Sequence, residues 1–95
     1  MLRITVQDSL QSVALKLEGQ LTGPWVEETE RVWKNCDGPV AVVDLCDVTW
    51  VDGRGTKLLA RMYKGGANLV AYMPMMTHII EVLAWNEKDQ ETEVQ

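Results

Sequence analysis

Ninety-five residues suit one domain and not two. With 46% of them hydrophobic, the chain falls in the globular class and not the disordered one. A net charge of −5, with the 9 lysines and arginines scattered along the chain, argues against a nucleic-acid partner, because a phosphate backbone would be repelled.

The first residues, MLRITVQDSL, alternate apolar and polar: Leu2, Ile4 and Val6 against Arg3, Thr5 and Gln7. That period of two marks a strand with one buried face. It lacks the continuous apolar core of a signal peptide, and no later run approaches the ~20 residues a membrane span needs. A cytoplasmic protein without membrane insertion is the expectation for a bacterial source. Asp8-Ser9 supplies turn residues, and Val13, Leu15 and Leu17 then alternate with Ala14, Lys16 and Glu18. The two strands read as an antiparallel hairpin.

Gly19-Gln20-Leu21-Thr22-Gly23-Pro24 breaks the pattern. Proline suits the first turn of a helix, where its missing N–H has no partner to lose. Thr22 or Gly23 can cap that helix. Glu27, Glu28 and Glu30 come early and Arg31 and Lys34 late, which matches the helix dipole, and Glu27–Arg31 and Glu30–Lys34 are spaced for ion pairs. The apolar stripe is Trp25/Val26, Thr29, Val32/Trp33 and Cys36, ended by Asp37-Gly38-Pro39. Cys36 and Cys46 belong to no CxxC pair, and with His78 as the single histidine they do not make a structural zinc site. Both read as small apolar residues.

Val40-Ala41-Val42-Val43 is continuously apolar, the look of a central strand covered on both faces, ending at Asp47. Helical spacing resumes at Gly55, Leu58, Leu59 and Met62 and runs to about Lys64, where Gly65-Gly66 stops it. Asn68–Tyr72 is a short strand. Pro74 opens a third helix with Met76, Ile79, Ile80 and Leu83 on one face, widened by Met75 and Val82. The remainder, NEKDQETEVQ, carries four acids and one lysine. The expected organisation is a domain over 1–85 and an acidic, disordered tail over 86–95. Strand–helix alternation implies parallel pairing with right-handed crossovers. The fold class is therefore α/β: a mixed sheet of about four strands, antiparallel at the N-terminal hairpin, with three helices.

The junction VDGRGTKLL holds the most information. A hairpin turn fails, because the downstream side is helical. A phosphate loop fails, because neither GxxxxGK[ST] nor GxGxxG is present. A helix start fits: Asp52 caps the free amides, and Gly53 and Gly55 permit a sharp turn and a close approach. In an open α/β sheet this loop lies beyond the strand C-termini, where ligands gather.

The stretch VVDLCDVTWVDGRGTKLLARMYKGGANLVAYMP resembles the STAS family, the domain shared by anti-sigma-factor antagonists and the cytoplasmic parts of sulfate transporters. The shared features are the strand ending in Asp44-Leu45, Asp52-x-x-Gly55 opening a helix, the Leu58-Leu59 pair, Gly65-Gly66, and a short strand before a proline-started helix. Upstream, Leu17-Glu18-Gly19-Gln20-Leu21-Thr22 is similar to the family's Gly-Glu-Leu-Asp turn. The resemblance covers roughly residues 2 to 85. It implies a non-enzymatic, cofactor-free module whose partner is a protein, an anti-sigma or kinase-like chain. Small STAS subunits that dock on the ATPase of a lipid-transport complex are the alternative, and a homodimer is a further option. In the antagonists a serine or threonine directly after the Asp is phosphorylated and switches binding. Here that position is Gly53, and the upstream turn carries Thr22 and Gln20 in place of its acids, so no phosphorylation is expected in the loop. The resemblance points to Thr22, Asp52, Gly53, Arg54, Gly55, Thr56 and Lys57 as the partner-binding set. The family's usual further strand and helix are missing after the third helix, which makes Met73, Met75, Met76 and Trp85 additional contact candidates. An enzymatic site would need His78 or a carboxylate group such as Asp44, Asp47 and Asp52 gathered around a cation.

Overall fold

The alternation of the first two segments becomes β1 (Leu2–Asp8) and β2 (Val13–Leu21), an antiparallel hairpin in the register Leu2↔Gly19 to Asp8↔Val13. The structure, a computed structural model, describes residues 1–8, 12–36 and 38–93, with side chains as far as Trp85. The expected turn at Asp8-Ser9 thus lies partly outside the described residues. The elements that follow are α1 (Pro24–Lys34), β3 (Val40–Val51), α2 (Gly53–Lys64), β4 (Asn68–Val70) and α3 (Pro74–Glu93). Among the described residues these make one four-stranded sheet in the order β1-β2-β3-β4, with β2, β3 and β4 parallel. The expected fold class is the observed one.

Right-handed crossovers between successive parallel strands place α1 and α2 on one face of the sheet, and α3 packs against α2. The core lies between that face and the helices. Leu15, Leu17 and Leu21 of β2, Val43, Leu45 and Val48 of β3, and Leu58, Leu59 and Met62 of α2 are all buried there, with Met76 of α3. The spacing of the α2 residues explains why the helix forms: positions 55, 58, 59 and 62 fall on one stripe, and no acid or glycine interrupts it after Gly55.

Several expectations need correction. β3 is not covered on both faces. The opposite face carries Arg3, Thr5, Lys16, Glu18, Asp44 and Cys46, exposed or half-buried, with Lys16 and Asp47 paired at 3.7 Å. The register against β2 slips between Val40 and Val42, so that Val40 and Val43 both turn inward, while Ala41 is exposed and Val42 half-buried. β3 also continues past Asp47. A second slip, where Lys16 faces Asp44 and Glu18 faces Asp47, lets the strand run on to Val51. The freed Cys46 amide donates to Asp44 Oδ1 at 3.0 Å.

On α1 the Glu27–Arg31 pair does not form. Arg31 bonds Glu28 at 2.6 Å, Lys34 pairs with Glu30 at 3.0 Å, and Glu27 faces Arg54 of α2. On α3, Val82 is exposed while Met76 and Leu83 are buried and Met75, Ile79 and Ile80 pack on the core. The α3 backbone runs on to Glu93 where the sequence placed a tail, since no glycine or proline follows Trp85 to stop it. No described helix is long and apolar enough to cross a membrane.

Candidate functional site

Two loops meet at the C-terminal ends of β2 and β3, and one carboxylate joins them. Asp52 is the N-cap of α2, with extended backbone dihedrals of −86° and −177°. Its Oδ1 accepts from the Gly55 amide at 2.8 Å, satisfying a first-turn donor. Its Oδ2 reaches across to the β2–α1 turn and accepts from the Gly23 amide at 2.9 Å. Its own amide donates to the Leu21 carbonyl at 3.2 Å. Its carbonyl accepts from the amide of Thr56 at 2.9 Å and from the hydroxyl of Thr56 at 3.0 Å. The Gly23 and Gly55 amides, with Arg54 nearby, hold the Asp52 carboxyl below its usual range.

The glycines divide the work. Gly23 caps α1 with φ of 54°, a conformation in which a β-carbon is strained, and among the described residues no side chain caps this helix. Gly55 is buried: a β-carbon there would lie 2.5 Å from the Leu21 carbonyl oxygen and 2.7 Å from Val51 Cγ1. The start of α2 therefore touches the end of β2 directly. Gly53 is exposed and a β-carbon would meet nothing within 4 Å.

The predicted set thus separates into support and surface. Asp52, Gly55 and Thr56 build the corner from within, and Gly55 offers nothing to a partner. Gly53, Arg54 and Lys57 stand exposed on it, and half-buried Thr22 lies in the adjoining turn. Arg54 Nη1 is 3.9 Å from Glu27 Oε1. With Arg61 and Lys64 it continues a basic stripe along the exposed side of α2, a helix without an acid. Arg61 bonds Glu30 of α1 at 2.7 Å and lies over the Trp33 ring at 5.8 Å.

Trp50 was missed by sequence reasoning. It lies two residues before Asp52 and is 55% exposed. A tryptophan inside an apolar strand reads as core, and only the register slip between Gly19 and Gln20 turns it outward. Of the additional contact candidates, Met76 is buried and Met75 packs on the core, Met73 is half-buried, and Trp85 is exposed. Asp44, Asp47 and Asp52 do not converge: among the described residues no three His, Cys, Asp or Glu side chains are placed to share a cation. Asp44 is spent on the Cys46 amide, which, helped by Lys16, keeps its carboxyl low. His78 is an exposed residue of α3.

No protein-family model matches the chain, and no curated protein matches its sequence. Solved structures share its architecture. The chain is similar to a structure described as a crystal structure analysis of Mglu, with a TM-score of 0.57 and 21% identity, over 74% of this chain and 19% of that one. It is also similar to an uncharacterized protein of the DUF3478 family with a SpoIIAA-like fold from Shewanella loihica PV-4. That match has a TM-score of 0.53 and 14% identity, over 88% of this chain and 78% of that one. This chain thus spans less than a fifth of the Mglu chain and most of the Shewanella chain. The four-stranded mixed sheet with its three helices gives this chain a SpoIIAA-like α/β fold.

Proposed function

We propose that the chain is a non-enzymatic protein-interaction module resembling an anti-sigma-factor antagonist, in a constitutive form that is not switched by phosphorylation. The observation that carries the reading is the Asp52 carboxylate, which bonds the Gly23 and Gly55 amides at 2.9 and 2.8 Å and so locks two loops into one corner. A preformed corner binds without an ordering cost. Around it Trp50, Arg54 and Lys57 are exposed, and aromatic and arginine side chains are the types that anchor interfaces. The Asp52 carboxylate is occupied by two backbone amides, which leaves it a poor acid–base group. The position next to Asp52 is Gly53, without a hydroxyl to accept phosphate.

Capture from a lysate of the source cell, followed by mass spectrometry, tests this. The wild-type chain retains a specific protein, and the Trp50→Ala/Arg54→Glu/Lys57→Glu variant retains at least tenfold less of it. Retention that is equal for both sinks the corner as a docking surface. An anti-sigma or kinase-like chain in the eluate supports the antagonist reading, and a transporter ATPase supports the alternative. Incubation with the captured kinase and ATP leaves the intact mass unchanged, whereas stoichiometric phosphate in the loop defeats the constitutive form.

A further inference from the structure

The outer edge of β1 is regular along all seven residues from Leu2 to Asp8, its pairing with β2 has no slip, and among the described residues no element runs beside it. Soluble proteins ordinarily blunt such an edge with proline, a bulge, lysines or a short strand. The opposite edge follows that practice, since β4 has three residues. β1 has no proline, no lysine and no bulge, and its charges are Arg3 and the terminal Asp8.

The edge is also bordered by partly apolar, uncovered surface. Two grooves lie between β1 and α1, of about 450 and 410 Å³. The larger is mainly apolar, with Leu2, Ile4, Trp25 and Val32; the smaller sets Val6, Val13 and Val32 beside the polar Asp8, Arg31 and Asn35. Val6 is 47% exposed although it belongs to the inward-facing half of the strand.

We propose that a second copy of this chain occupies this edge, pairing its own β1 antiparallel about a two-fold axis at Thr5. The backbone phase fits. The Met1 carbonyl accepts from the Gln20 amide, so the odd-numbered residues Arg3, Thr5 and Gln7 turn their N–H and C=O groups toward β2. Leu2, Ile4, Val6 and Asp8 turn theirs outward. A two-fold at Thr5 sets Ile4 opposite Val6 and Leu2 opposite Asp8. Each of these pairs joins outward-facing groups, so each exchanges two N–H···O=C bonds. The side chains fit as well: Ile4 of each copy covers the exposed Val6 of the other, and the grooves beside the two α1 helices become continuous. A closed two-fold contact consumes the free edge and does not propagate. The proposal does not rest on the reading of the Asp52 corner.

Sedimentation equilibrium of the wild-type chain is expected to give twice the 10.7 kDa chain mass, and Val6→Lys, an exposed substitution, to give the single mass. Thr5→Cys gives a second, geometric readout. The two Thr5 residues form a pair without hydrogen bonds, with Cα atoms ~4.5 Å apart, inside the range a disulfide spans. Mild oxidation is therefore expected to link Thr5→Cys into a covalent dimer. Gln7→Cys, whose own copy lies four residues along at roughly 13 Å, stays unlinked, as does the wild type with Cys36 and Cys46. A wild-type chain that sediments at 10.7 kDa at every concentration overturns the proposal, even if another protein binds the edge. A dimer that survives Val6→Lys and leaves Thr5→Cys unlinked overturns it too.

Discussion

Gly53 and Gly55 are two positions apart, share a residue type, and do different jobs. At Gly55 a methyl group would press on the Leu21 carbonyl and Val51, backbone and packed side chain that cannot both retreat. At Gly53 it would enter solvent. Gly55→Ala is expected to cost about 1–3 kcal/mol through overpacking, whereas Gly53→Ala or Gly53→Ser leaves stability within about 1 kcal/mol of wild type. Urea titrations of the three variants check this, and equal midpoints for Gly55→Ala and wild type would remove the close contact. The sequence marked both glycines as a sharp turn and a close approach. It could not say which was which, because the deciding atoms belong to Leu21 and Val51, one of them far away along the chain.

At the scale of elements, α1 and α2 meet through side chains that the sequence assigned differently. The Glu27–Arg31 pair expected within α1 gives way to Arg31 with Glu28 inside the helix and Arg54 with Glu27 between helices, and Glu30 takes Arg61 of α2 besides the expected Lys34. The two contacts between helices are exposed ion pairs, and charge alone gives such pairs little. Arg61 differs because it also lies over Trp33. Arg61→Ala is therefore expected to lower Tm more than Arg54→Ala, and 0.5 M NaCl to narrow the gap only in part, since stacking is screened less than an exposed charge pair. Equal Tm values for the two variants would assign no value to the stack. The period-3.6 stripes that define α1 and α2 were legible in the chain. The partners of their charged faces were not, because neighbours at i+3, i+4 and on the next helix compete for the same groups at nearly equal energy.

For the molecule as a whole, the carboxyls of Glu30, Asp44 and Asp52 all titrate below their usual range. Arg61 and Lys34 hold Glu30 low, the Cys46 amide holds Asp44, and the Gly23 and Gly55 amides hold Asp52. A carboxyl lowered in the folded state contributes stability above its unfolded pKa, and loses that contribution as pH falls through the folded value. Tm is expected to stay level from neutral pH down to about 5 and then to fall below about 4, where unfolded carboxyls take up protons. The double variant Asp44→Asn/Asp52→Asn is less stable at pH 7 and shows a shallower acid decline. An unchanged acid profile in that variant would mean these two groups do not carry the effect.

The sequence by itself determined the order of elements, the hairpin, the parallel strands, and Asp52 as the cap of α2. Each of these follows from periodicity, or from capping residues within four positions of one another, and such short-range preferences survive in any fold. Tertiary structure alone decided that β3 slips register and leaves one sheet face uncovered. It also turned Trp50 outward, buried Met76 and Gly55, separated Asp44 from Asp52, and spent the second oxygen of Asp52 on Gly23. Those outcomes depend on contacts between residues tens of positions apart, such as Gly23 with Asp52 and Gly19 with Val48. The helix cap can be read at i+3, but the bond that makes the corner rigid closes across the sheet, and no local pattern encodes it.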